Sequence, residues 1–223
     1  MKKIRITIDV LMYLLFIVLM GHHITGNLIH EILGTTLFVL FIIHQILNYK
    51  YYKNIFKGKY TVKRTAMLII DILLLIAMIC MIISAINISS DVFAFLHVPT
   101  KIWGRKLHML STSWGFVLMS IHVGIHLNIL INKINKKMKD NTLEYVYYLV
   151  LILIGIYGIY SFIKLNFISD MFLLNPFKYY DYNESPIIFY LHVLSSSIFI
   201  ALTINFINSI KLKRKKEIKW IKK

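Results

Sequence analysis

A chain of 223 residues that is 58% hydrophobic, with a mean hydropathy of +0.68 and 16% charged residues, is too apolar for an ordinary soluble domain. Its formal charge of +16 does not point to nucleic acid, because the basic residues are confined to short connections and the two ends of the chain. A single cysteine, Cys80, excludes disulfides, thiolate iron–sulfur clusters, cysteine zinc sites and covalent c-type haem attachment within one chain.

Six stretches approach the roughly 20 apolar residues that cross a bilayer, at 6–24, 28–48, 66–87, 107–131, 145–165 and 187–209. The first follows Met1-Lys2-Lys3-Ile4-Arg5 as a signal peptide would. No alanine precedes Ala66, however, so the small-residue cleavage pattern is missing and the span is expected to be retained. It ends in His22 and His23, which are expected at the external interface. The second span holds His30 and His44, with Gly34 one turn beyond His30. The third holds Asp71, about one turn inside, and Cys80, which reads as a small buried apolar residue. Asp71 reads as a carboxylate reaching back to the basic connection before it, with a proton- or quinone-handling group as the alternative.

Between the third and fourth spans, Ser89-Ser90-Asp91 opens what looks like a capped short helix at the surface, followed by the solvated His97. The fourth span holds His108, His122, His126 and Gly115, and Arg105 and Lys106 precede it. Segment 166–186 is rich in aromatics (Phe167, Phe172, Phe177, Tyr179, Tyr180, Tyr182) and reads as an interfacial belt. A lid over a cofactor, or a docking surface, is the alternative. His192 begins the last span, where packing or a polar contact is expected, and Lys211–Lys223 forms a basic tail suited to anionic lipid headgroups. No Gly-rich phosphate loop and no strand–helix alternation is present, so nucleotide or flavin chemistry falls to other chains.

The basic residues orient the chain. Of 26 Lys and Arg, 21 lie at the N-terminus, in 49–65, in 132–144 and in the tail; only Lys101, Arg105, Lys106, Lys164 and Lys178 fall on the other side. This is the positive-inside pattern of an even number of spans with both termini cytoplasmic. The expected fold is an all-α integral membrane protein, a six-helix bundle whose second and fourth spans run parallel. Residues 1–132 form a four-helix core, and residues 133–223 add two spans with the aromatic loop and the tail.

Spacing carries the chemistry. His30 and His44 are fourteen residues apart, as are His108 and His122. Fourteen residues turn through about 1400°, nearly four full turns, so each pair shares one helix face and is separated by about 21 Å along the axis. On parallel helices His30 meets His108 near the external surface, and His44 meets His122 deeper toward the cytoplasm. Neutral imidazole is a good axial ligand for haem iron, and two such clamps fit two b-type haems. His126 competes for the inner position, because eighteen residues from His108 is five full turns. Spacing favours His122; depth favours His126. Gly34 and Gly115 offer room for flat porphyrin faces, or close helix contact. Arg105 and Lys106 are candidate partners for haem propionates. Lys50 is another at the inner end, although positive-inside charge accounts for it equally.

At these residues the chain resembles the flavinylation-associated cytochrome family. The resemblance lies in Gly26-Asn27-Leu28-Ile29-His30-Glu31-Ile32-Leu33-Gly34 running on to His44 and Asn48, and in Gly104-Arg105-Lys106-Leu107-His108 followed by Trp114-Gly115-Phe116 and His122-Val123-Gly124-Ile125-His126. It covers residues 1–132; the last two spans match only in general character. It implies non-covalent b-type haems in a ligand layout similar to ferric reductases and respiratory cytochrome b. It also implies electron delivery to an extracytoplasmic domain carrying covalent flavin mononucleotide, here a separate partner. The expected activity is electron transfer from menaquinol or a cytoplasmic dehydrogenase to that flavoprotein or a metal acceptor. A haem-free anchor or assembly subunit and a divalent-metal transporter are the rivals. Transport is disfavoured because Asp71 is the only acidic residue read as lying well inside a span.

Overall fold

Where a backbone has no water to bond, it must satisfy its own polar groups, and long proline-free apolar stretches do so as helices. The computed structural model describes the backbone of residues 2–137 and 141–221, and the side chains of residues 3–127, 145–147 and 149–207. No strand occurs among the described residues. In chain order the helices are α1 (Lys2–Leu19), α2 (His22–Thr25), α3 (Asn27–Leu47), α4 (Tyr49–Lys53), α5 (Val62–Ile88), α6 (Ile102–Lys137), α7 (Asn141–Lys164), α8 (Phe167–Met171) and α9 (Pro186–Ile221), with a 3₁₀ turn at Ala94–Leu96.

Five helices are long and apolar enough to cross a membrane: Asn27–Leu47, Val62–Ile88, Ile102–Leu127, Tyr145–Lys164 and Pro186–Ile207. The first expected span differs. α1 carries Lys2, Lys3, Arg5 and Asp9 within 18 residues, and it stops at Leu19 instead of continuing to residue 24. The stop has a local cause. A Cβ at Gly21 would lie 2.5 Å from the Tyr190 hydroxyl, which donates to the Val18 carbonyl at 3.1 Å. That carbonyl is among those left without a helical partner where a helix ends. The chain restarts as the short α2. α6 and α9 run well past the expected span limits, so the basic tail continues the α9 helix as far as Ile221.

α6 is the hub. It packs along α5 on one side and α9 on the other, and α9 in turn carries α7. Glycines permit two of these crossings: a Cβ on Gly124 would lie 2.6 Å from the Ala201 carbonyl, and one on Gly158 would overlap the Ser195 carbonyl. The best-buried apolar cluster joins Phe16, Ile17 and Met20 of α1 to Leu37 of α3, Phe116 of α6, Phe167 of α8, and Phe189 and Val193 of α9. Phe116 and Phe167 stack with centroids 4.5 Å apart. α3 is the exception to the close packing. Its main neighbours are α1, α2 and α4, and it has at most marginal contact with α5 and α6. A separation therefore lies between the two helices that carry the paired histidines.

Candidate functional site

His30 and His108 face each other across that separation. Their ring centroids are 6.2 Å apart with an interplanar angle of 73°. Two neutral imidazoles on separate helices at this distance are residues that would hold a metal-centred group bound there. His108 Nδ1 is 3.1 Å from the Ser84 hydroxyl, which also donates to the Met81 carbonyl at 2.9 Å. His30 Nδ1 is buried with no hydrogen-bond partner. The His22 ring lies edge-on to His30 at 4.8 Å.

A second level lies toward the other ends of the same helices. His44 Nδ1 is 2.7 Å from Asp9 Oδ1 of α1, and His122 Nδ1 is 2.9 Å from Asp71 Oδ1 of α5. Tyr51 of α4 donates to the second Asp71 oxygen at 2.6 Å. His126 lies 4.8 Å from His122, ring to ring, and within electrostatic reach of both Asp71 and Asp9. Asp71 does both things the sequence allowed: one oxygen reaches Tyr51 of the basic connection, as expected, and the other turns inward onto His122. Asp9 escaped the sequence reading because a carboxylate among N-terminal cations looks like surface charge, and 35 residues separate it from His44. Of the two inner candidates, His122 is the one whose Nδ1 a carboxylate holds.

Two chain segments lie around the first level, 89–96, expected as a capped surface helix, and 166–186, expected as an interfacial belt with a lid as the alternative. Glu31, next to His30, accepts from the Ser89 hydroxyl at 2.6 Å and from the backbone amides of Ser90, Asp91 and Val92 at 2.9, 3.1 and 2.6 Å. The segment expected to be a capped surface helix is thus a nest of amides around a carboxylate from α3, followed only by the short 3₁₀ turn. The aromatic segment divides. Tyr180 stacks on His23 at 4.2 Å and Phe172 lies edge-on to Trp114 at 6.0 Å, while Phe177, Tyr179 and Tyr182 remain exposed. Lys178 stays beneath it, 3.6 Å from Asp170 and within electrostatic reach of His30 and His108. Burial pushes Asp170 up and Lys178 down, each toward its neutral form. Burial, and then Lys178, lowers His23 below its ordinary 6.5.

The remaining expected residues fall as follows. A Cβ on Gly34 would meet nothing within 4 Å, so the space beside His30 is open. At Gly115 the space is taken by Met81 and Phe16, 3.0 and 3.4 Å away, so close packing and not a gap explains that glycine. Arg105 and Lys106 line a surface groove of about 420 Å³ with Lys101, Pro176 and Phe177. Lys50 lines a larger groove of about 650 Å³ with Lys63 and Arg64 at the second level's end. His97 is exposed. His192 is buried between α7 and α9, hydrogen-bonded to Ser161 at 2.8 Å and stacked on Tyr157, as a packing histidine would be. Among the described residues no group of three or more His, Cys, Asp or Glu is placed to hold a metal ion. A haem needs only two axial ligands from the protein. No family model, no curated protein and no solved structure matches the chain.

Proposed function

We propose that the chain is a six-span di-haem cytochrome that carries electrons across the cytoplasmic membrane, as its resemblance to the flavinylation-associated cytochromes implies. The observation that carries the reading is the His30–His108 separation of 6.2 Å between two helices that otherwise stand apart. The open space beside Gly34 fits a flat ligand between the rings. When bound, haem supplies a one-electron couple at each level. The protein's part is to ligate, orient and insulate. His30 and His108 hold the outer group, and His44 and His122 the inner one. Arg105 and Lys106 stand at the outer mouth, where propionates would find cations.

α1 completes the six spans in this reading. It reaches the inner level through Asp9 on His44, and α2, which follows it directly, reaches the outer level through His22 on His30, which supports a sixth span despite the charges of α1. The positive-inside pattern supports a cytoplasmic side for both termini and the inner pair. Electrons then enter from menaquinol or a cytoplasmic dehydrogenase and leave to an extracytoplasmic flavoprotein. The exposed Phe177, Tyr179 and Tyr182 lie on the side where that partner docks.

A reduced-minus-oxidised visible spectrum of the purified protein, with haem quantitation, tests the reading. Two b-type haems per chain are expected. Absence of a b-type α-band would leave a haem-free anchor as the better account.

A further inference from the structure

The two histidine levels differ in what meets the ring nitrogen Nδ1. At the inner level each Nδ1 meets a carboxylate, Asp9 at 2.7 Å and Asp71 at 2.9 Å. At the outer level His108 meets only neutral groups, the Ser84 hydroxyl at 3.1 Å and the Met81 backbone, and His30 Nδ1 meets nothing. Cations stand near both levels: Lys178, paired with Asp170 at 3.6 Å, is within reach of both outer rings, and Lys50, Lys63 and Arg64 surround the groove at the inner end. The levels therefore differ in the groups that touch the histidine nitrogens.

A carboxylate accepting from Nδ1–H fixes the tautomer that presents Nε2 and makes that nitrogen a stronger donor. A stronger donor and a nearby negative charge both favour the more positive, oxidised state of whatever iron the ring holds. Asp71 is the stronger of the two levers, because its side chain is 22% exposed against 49% for Asp9, and water screens the more exposed charge. Tyr51 holds Asp71 in place and draws off part of its charge.

Building on the di-haem reading, we propose that Asp9 and Asp71 are positioning residues that orient His44 and His122 and set the inner haem at a lower potential than the outer one. The chain then carries its own downhill gradient from the inner to the outer face. The asymmetry is built from α1 and α5, helices that hold no haem ligand.

The test is a potentiometric titration of the α-band of the detergent-purified holoprotein, with haem quantitation on every variant. The wild type is expected to titrate in two resolved steps. Asp71→Asn is expected to raise the lower step by about tenfold in the reduced-to-oxidised ratio, 59 mV for a one-electron couple, and leave the upper step in place with two haems retained. Asp9→Asn is expected to shift the same step upward by less. A lower step that stays put in Asp71→Asn with both haems present overturns the proposal, as does movement of the upper step alone. Should Asp71→Asn lose a haem, Tyr51→Phe decides: with the hydroxyl gone the carboxylate pulls harder on His122, and the lower step moves down. No shift, or an upward one, overturns the proposal. A wild type without haem fails the di-haem reading itself, a different result from two haems with equal potentials.

Discussion

His122 and His126 differ by a single turn, and the distinction between them rests on one oxygen atom. Asp71 Oδ1 holds His122 Nδ1 at 2.9 Å, whereas His126 meets the same carboxylate only through space. Orienting carboxylates typically affect affinity 10–100-fold when removed, so the histidine so oriented is the one expected to matter. On the di-haem proposal, His122→Ala should reduce haem content from two per chain to one, and His126→Ala should leave two. Pyridine haemochrome assay of both variants decides it, and equal losses would show that the two rings act together. Glu31 offers a second prediction at this scale, on stability and not on haem. Charged hydrogen bonds are each worth about 1.5–3 kcal/mol when buried, and Glu31 makes several at a half-exposed site. Glu31→Ala should therefore cost about 2 kcal/mol in all, read as a lower melting temperature, whereas Glu31→Gln keeps part of it.

Helices pack where their surfaces let them approach, and here two glycines on α6 and α7 set how close α9 comes. At Gly124 the obstacle to a side chain is the backbone of Ala201, with its carbonyl oxygen at 2.6 Å and Cα at 2.8 Å, and backbone cannot rotate aside as a side chain can. Gly124→Ala should destabilise by about 1–3 kcal/mol, the usual cost of overpacking. Gly155, on α7, has nothing within 4 Å, and there Gly→Ala should be neutral or stabilising by about 0.5–1 kcal/mol through helix propensity. Thermal melts of the two variants should move in opposite directions. These elements also mark how far the sequence could be read. The membrane helices are written in runs of apolar residues, and the fourteen-residue spacings in α3 and α6 brought His30 to His108 without any knowledge of packing. What could not be read depends on contacts distant in sequence. The break at Gly21 depends on Tyr190 in α9. Asp71 reaches His122 across 51 residues, and Glu31 finds its amides 59–61 residues away. A local pattern records the face a residue occupies, not which neighbour arrives there.

At the scale of the molecule, the two levels differ in cover as well as in charge: the first lies under the 166–186 segment, whose start is anchored by Phe167 on Phe116 and by Trp114 donating to the Met171 carbonyl, and whose later part is held by the stack of Tyr180 on His23 and by the Lys164–Glu184 ion pair. His23 sits in α2, outside the apolar helices, half-buried and beside Lys178, and its pKa lies below 6.5 because burial and then that cation disfavour the charged ring; Glu184 opposes them more weakly. A histidine with a lowered folded-state pKa contributes its stabilisation in full above the unfolded value and loses it as pH falls through 6.5 and below. Acidification therefore adds a charge next to Lys178 and works against the stack. Asp170, pushed up by burial, has the opposite sign, since protonation is easier for it in the fold than in the unfolded chain. Comparing the wild type with His23→Gln separates the two contributions, because only the first vanishes in the variant. Amide exchange across 172–185, corrected for its intrinsic pH dependence, should be faster at pH 5.5 than at pH 7.5 in the wild type. In His23→Gln that acceleration should disappear. An equal acceleration in both proteins would show that His23 does not carry the acid sensitivity of this segment, since Asp170 titrates with the opposite sign.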